Sequence, residues 1–278
     1  MSNTITGFTK VFYKNFLVDT GNSITVSSGA TTANYIKDLD RATRWLSSGS
    51  DDLTQESIVI AFDYPQTIDR IMLLNFNFKK YTIKYDNSGW TNFANVYTTK
   101  TGNVASSISE TTNADNARYY EFTPVTTSQI QILIDETIVA DAEKYLYELY
   151  IGEEIGTFKL DVACLPNSFD FTSSFKKSQL LEKSNAGMIK IDRADKMRGE
   201  LDINQVYEAT DLAIIYEMLD FGEVAIYPCG ADTHYTTERG WRMQDLYHVI
   251  IDADQDSNFS VGRDKTLGQD FKIKMMEL

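Results

Sequence analysis

The chain has 278 residues, 42% of them hydrophobic and 24% charged, a composition that excludes wholesale disorder and gives room for about two domains. Forty Asp and Glu against 26 Lys and Arg leave a net charge of −14 and a pI near 4.6, a field that repels phosphate backbones and argues against a nucleic-acid partner. The excess is even, since residues 1–154 carry 12 basic and 19 acidic groups and residues 155–278 carry 14 and 21, so each part stands at −7 and there is no acidic tail.

Residues 1–22 read as an N-terminal arm. Met1 to Lys10 lacks a basic start followed by an apolar run, and no stretch approaches the roughly 18 apolar residues of a membrane span. Neither an export signal nor membrane insertion is therefore expected. From Ser23 to Tyr150 short β-type runs alternate with clusters of Gly, Ser, Thr and Asn, the rhythm of an antiparallel sandwich. Ile58–Phe62, Ile68–Phe78, Tyr81–Tyr85, Tyr119–Phe122 and Ile130–Ile134 are predicted strands. Asp86 to Trp90 is a predicted hairpin turn, because Asn and Gly tolerate the positive φ that tight turns need. Thr98 to Asn116, almost without apolar residues, reads as a long surface loop.

The segment Asp38-Leu39-Asp40-Arg41-Ala42-Thr43-Arg44-Trp45-Leu46-Ser47-Ser48 resembles the signature of discoidin-type (coagulation-factor C-type) domains. Further landmarks follow in the same order: Ile60-Ala61-Phe62-Asp63, Pro65 to Ile71, Tyr81 to Trp90, Ala117-Arg118-Tyr119-Tyr120 and Glu148 to Gly152. Two positions depart from the pattern. Leu39 stands where the family usually has Gly, and Ser57-Ile58 stand where it usually has Trp. The resemblance implies a galactose-binding-like antiparallel β-sandwich (a jelly roll) over residues 23–154 that binds ligands on its loops. It also implies a structural calcium, with Asp38, Asp40, Thr43 and Glu148 as oxygen ligands of the hard cation. The two aspartates can equally cap the turn through side-chain to backbone hydrogen bonds with no metal present. Trp45 and Trp90 offer flat faces for stacking on a sugar, whereas their places in the family pattern point into the core.

Residues 155–278 read as a β-rich α+β domain with one amphipathic helix. Tyr207 to Leu219 carries Leu212, Ile215, Tyr216 and Leu219 at helical spacing, and Asp220-Phe221-Gly222 is its stop signal. Glu223–Tyr227, Leu246–Ile251 and Phe271–Met276 are predicted strands. Asp252 to Asn258 begins like an EF-hand loop. Ser257 and Arg263 occupy the places of its required Gly and Glu, which makes a solvated acidic loop the better reading. Cys229, His234 and His248 lack the spacing of a zinc site and any orienting partner for nucleophilic catalysis, so no catalytic residue and no enzyme activity is expected. Cys164 and Cys229 are too few for a disulfide framework, which fits a reduced, cytoplasmic place of synthesis.

Ser184 to Met188, Gly199 to Ile203, the helix and the C-terminal strand are faintly similar to tail-tube and distal-tail proteins of bacteriophages. That similarity implies a virion component of a tail or baseplate, made in host cytoplasm. Its C-terminal domain would assemble with copies of itself and other tail proteins. Its sandwich would decorate the particle or contact host-surface carbohydrate. The alternatives are a freestanding carbohydrate-binding protein and an accessory module of a glycoside hydrolase.

Overall fold

The computed structural model describes residues 8–40, 42–49, 51–98, 104–159, 179–184, 187–192, 198–206, 209–229, 246–251 and 269–278. The described residues form two compact units, one holding residues 12–154 together with Leu246 and the other holding residues 8–11, the described residues between 155 and 229, and those between 247 and 278. Residues 1–22, expected as an arm, are shared out: β1 (Phe8–Tyr13) is a strand, and the turn of 3-10 helix Phe16–Val18 puts Leu17 into the sandwich core.

The first unit is an antiparallel β-sandwich. Its strands are β2 (Ser23–Val26), β3 (Trp45–Leu46), β4 (Glu56–Phe76), β5 (Phe78–Asp86), β6 (Trp90–Asn92), β7 (Val96–Thr98), β8 (Val104–Ala105), β9 (Ile108–Glu110), β10 (Ala117–Thr137) and β11 (Tyr145–Gly152). Alternation in β4 turns Ile58, Ile60 and Phe62 inward and leaves Ser57, Val59 and Ala61 half-buried, the two-residue period of a strand with one covered face.

Two long strands make both sheets. In the β4–β10 ladder Ala61 pairs with Gln129 and Gln66 with Thr127, so Phe62 to Pro65 lie opposite Ser128 alone. Further on, Ile68 pairs with Val125 and Arg70 with Glu121, so Phe122 to Pro124 lie opposite Asp69. Each strand thus bulges at a proline, which has no N–H for the ladder, and bulges bend the strands that carry them. On one side of the bend β4 and β10 pair with β2 and β5, which carries β6 and β9; on the other they pair with β11 and β7, which carry β3 and β8. The two halves close on one core that includes Trp45, Ile60, Ile71, Leu73, Phe76, Phe78, Ile132 and Leu149.

In the second unit β12 (Glu154–Lys159), β13 (Gln179–Ser184), β14 (Gly187–Asp192) and β15 (Arg198–Val206) precede the helix α1 (Ala209–Phe221). Strands β16 (Glu223–Cys229), β17 (Tyr247–Ile251) and β18 (Gln269–Glu277) follow it. Six strands form one sheet in the order β12-β1-β16-β17-β18-β15, while β13 and β14 pair only with each other among the described residues. The helix is where the sequence places it, but its buried face is turned. Ile215 and Met218 are fully buried with Val224, Ile226, Val249 and Ile273, Leu212 and Ile214 are partly covered, and Tyr216 and Leu219 are exposed. A step of one residue rotates the side chain by about 100°, so Ile215 at the centre of the contact takes Met218 inward and sends Tyr216 out. Among the described residues no helix is long and apolar enough to cross a membrane.

Candidate functional site

The acidic turn holds itself together. Asp38 Oδ1 accepts the Asp40 amide at 2.9 Å, Asp38 Oδ2 accepts the Thr43 hydroxyl at 2.7 Å, and Asp40 Oδ1 accepts the Ala42 amide at 2.9 Å. Leu39, in the place of the family's Gly, takes the left-handed conformation that Gly would adopt without strain, with φ +58°. Glu148 is buried on β11, paired across the ladder with Leu74. Among the described residues no three His, Cys, Asp or Glu side chains form a group able to hold a metal, so Asp38, Asp40 and Glu148 are not gathered into one. The carboxylate oxygens named here already accept hydrogen bonds from the turn, which suits a cap better than a calcium cradle.

Next to the turn, Trp45 is fully buried and its Nε1 donates to the Ser28 carbonyl at 3.1 Å, as its place in the pattern implies. Gly29 makes room for it: φ is +69°, and a Cβ there would stand 1.9 Å from the Leu46 carbonyl oxygen. Alternation then directs Arg44 outward. The β3–β11 register sets Leu46 against Tyr145 and Trp45 against Leu146, which brings Arg44 abreast of Tyr147. The Arg44 guanidinium lies 4.9 Å from the Tyr145 ring centre and 5.4 Å from that of Tyr147, and Nη1 donates to the Tyr147 hydroxyl at 3.2 Å. The two rings meet edge to face at 5.8 Å. This cluster was not anticipated, although the alternation around Trp45 already points Arg44 away from the core.

Trp90 departs from its expected inward position. It stands at the end of the β5–β6 hairpin, opposite Asp86, with 40% of its surface exposed. The buried place belongs to Phe93, whose ring centre lies 4.9 Å from that of Tyr85 and 4.2 Å from that of Phe122. The hairpin is firm: Asp86 Oδ1 accepts the Gly89 amide at 2.9 Å, the Asn87 amide donates to the Gly89 carbonyl at 3.0 Å, and Thr127 Oγ1 donates to the Asp86 carbonyl at 3.0 Å. Ser88 and Gly89 take φ +59° and +135° at its tip. Trp90 is thus a large, partly exposed aromatic residue on a hairpin that also carries Asp86, Asn87 and Asn92. The turn was legible from its composition, the direction of the tryptophan was not.

The segment from Thr98 to Asn116, expected as a plain loop, contains β8 and β9, with Ile108 buried in the core and the Asn113 amide donating to the Phe78 and Asp115 carbonyls, both at 2.7 Å. A two- or three-residue strand with one apolar side chain leaves too little pattern to read.

Ionisable groups also lie inside the sandwich. Asp69 and Arg70 form a pair at 3.1 Å, Arg70 reaches Glu154 as well, and the Glu154 amide donates to Asp69 Oδ1 at 3.0 Å. Burial raises the Asp69 carboxyl to about 6 against the opposing pull of Arg70. Arg70 Nε is buried with no hydrogen-bond partner among the described residues. The Tyr81 and Tyr120 hydroxyls lie 2.5 Å apart, Tyr120 donates to Glu110, and burial pushes both phenols up. Arg118 is buried beside them, bonded to Asn113 at 2.8 Å and paired with Asp115 at 3.3 Å. These groups are enclosed, and their chemistry is that of packing and mutual neutralisation.

In the second unit Cys229 ends β16 and His248 is buried in β17. Cys164, His234 and the Asp252–Asn258 loop lie outside the described residues, so their proposed groupings have no geometry.

No protein-family model matches the chain, and no curated protein matches it. Solved structures do resemble it. Chitosan-binding module 1 from a chitosanase/glucanase of Paenibacillus sp. IK-5 is 22% identical over 50% of this chain and 98% of its own, with a TM-score of 0.38. The Clostridium perfringens GH89 module CBM32-5, solved with GalNAc-β-1,3-galactose, is 12% identical over 49% of this chain and 98% of its own, with a TM-score of 0.38. A Ruminococcus gnavus GH29 fucosidase is 16% identical over 51% of this chain but 27% of its own, with a TM-score of 0.39. Two of these are carbohydrate-binding modules and the third is a fucosidase, and none of them is a bacteriophage tail protein.

Proposed function

We propose that the sandwich is a non-catalytic carbohydrate-binding module and that Trp90 is its stacking platform. The observation that carries this reading is a tryptophan 40% exposed on a hairpin pinned by Asp86 and Thr127, while the neighbouring interior position is filled by Phe93. Exposed indole on a rigid edge matches the apolar face of a pyranose, and the polar side chains beside it can bond to the hydroxyl groups. Rigidity matters because a platform ordered in advance loses little entropy on binding.

Glycan-array screening of the whole chain, followed by titration of the best ligand, tests the reading. Trp90→Ala should weaken that ligand at least tenfold with an unchanged melting midpoint, because the ring contributes little to the core. Full binding by the variant, or no glycan bound by the parent chain, would overturn it.

A role in a bacteriophage tail or baseplate is the second reading. What favours it is the antiparallel pair β13–β14, which joins neither larger sheet among the described residues and whose strand edges are of the kind that neighbouring copies can pair with. Repetition of a weak sugar site around such an assembly would supply avidity. Calcium at the acidic turn would require the turn's carboxylates to exchange their present hydrogen bonds for the ion, and a melting midpoint that rises on adding calcium is its test.

A further inference from the structure

The geometry points to Arg44, laid across Tyr145 and Tyr147, as a docking point for the carboxylate of an acidic sugar. This rests on the carbohydrate-binding reading and names a ligand class for a surface separate from Trp90.

Arg44 is exposed, yet no carboxylate pairs with it among the described residues; its contacts are the two tyrosine rings and the Tyr147 hydroxyl. In a chain with 40 acidic side chains, a guanidinium held against aromatic rings instead of an acid is available for an external one. Asp38 and Asp40, close in sequence, direct carboxylate oxygens into their own turn. The rings hold the guanidinium plane through cation–π contact, and the Tyr147 bond fixes one of its five N–H groups. The remaining donors present the planar fork that matches a carboxylate, at reduced entropic cost because the arginine is already ordered. A sugar attached to that carboxylate would approach the surface that β3 and β11 share.

The test compares methyl β-glucuronide with methyl β-glucoside, which differ by a carboxylate in place of a hydroxymethyl group, in NMR titrations of the whole chain at low salt. The expected result is at least tenfold tighter binding of the glucuronide. Arg44→Ala should abolish the preference, and Arg44→Lys, which keeps the charge but not the fork, should restore only a small part. Tyr147→Phe should reduce the preference while leaving the melting midpoint unchanged. Acetate in a parallel titration separates the carboxylate from the sugar: binding much weaker than the glucuronide supports a sugar-acid site, and equal binding overturns it. Equal affinity for glucuronide and glucoside, or a preference that survives Arg44→Ala, overturns the inference while leaving the Trp90 reading intact. Absence of any glycan binding by the parent chain removes both.

Discussion

Asp69 lies where the two long strands bend, and its charge is poorly accommodated there. Loss of water on burial is the largest influence on it; the Arg70 guanidinium and the Glu154 amide favour the carboxylate, and Glu153 and Glu154 add repulsion. The outcome is a carboxyl raised from 3.8 to about 6 despite its ion pair. A group with a higher pKa in the folded state binds its proton more tightly there. Its stabilising contribution is therefore complete below about pH 4 and is lost as the pH rises through 6. Asp69→Asn keeps an oxygen for the Glu154 amide and removes the titration. Stability of Asp69→Asn relative to the parent, from urea unfolding, should increase between pH 4 and 7 by up to about 3 kcal/mol, the linkage value of a two-unit shift. A difference that does not vary with pH would show that Asp69 is ionised freely in the folded chain.

The acidic turn is a test of what an element needs in order to keep its shape. Its hydrogen bonds come from its own residues, and the one between Thr43 and Asp38 joins a hydroxyl to a carboxylate at 2.7 Å. Thr43→Val should therefore lower the melting midpoint by about 2–4 °C, whereas stripping divalent ions with a chelator should leave the parent chain's midpoint unchanged. A rise of several degrees on adding calcium would instead restore the metal that the family resemblance implies. This element also shows what could be read in the sequence. The aspartates, the threonine and the buried Trp45 stand where the pattern puts them, and the predicted strands Ile58–Phe62 and Ile130–Ile134 are present because an alternating apolar face is a local property. The continuity of β4 through Pro65 and of β10 through Pro124 was hidden, since exposed prolines mimic strand ends while pairing with a distant segment decides otherwise. The surfaces proposed for binding were hidden for a related reason. Whether Trp90 or Phe93 enters the core, and that Arg44 meets Tyr145 and Tyr147, depends on neighbours far away in sequence.

For the whole molecule the question is which unit carries which task. Among the described residues the main sandwich cluster runs from Leu17 to Ile151, and the second unit's cluster is built on Val11, α1 and the strands around it, so each unit has an apolar interior of its own. Burial of that kind is the main source of stability in a domain, and a core complete within one stretch of chain should form without the other. A fragment of residues 12–154 is expected to unfold in a single cooperative transition, to remain monomeric in light scattering, and to keep the Trp90-dependent glycan affinity of the whole chain. If the second unit builds a particle, the whole chain under the same conditions will form a defined oligomer, and its binding to a glycan-coated surface will exceed that of the fragment by the avidity of several linked sites. A monomeric whole chain with fragment-like surface binding would instead confine the protein to single weak contacts, and the assembly reading would fall while the binding reading stood.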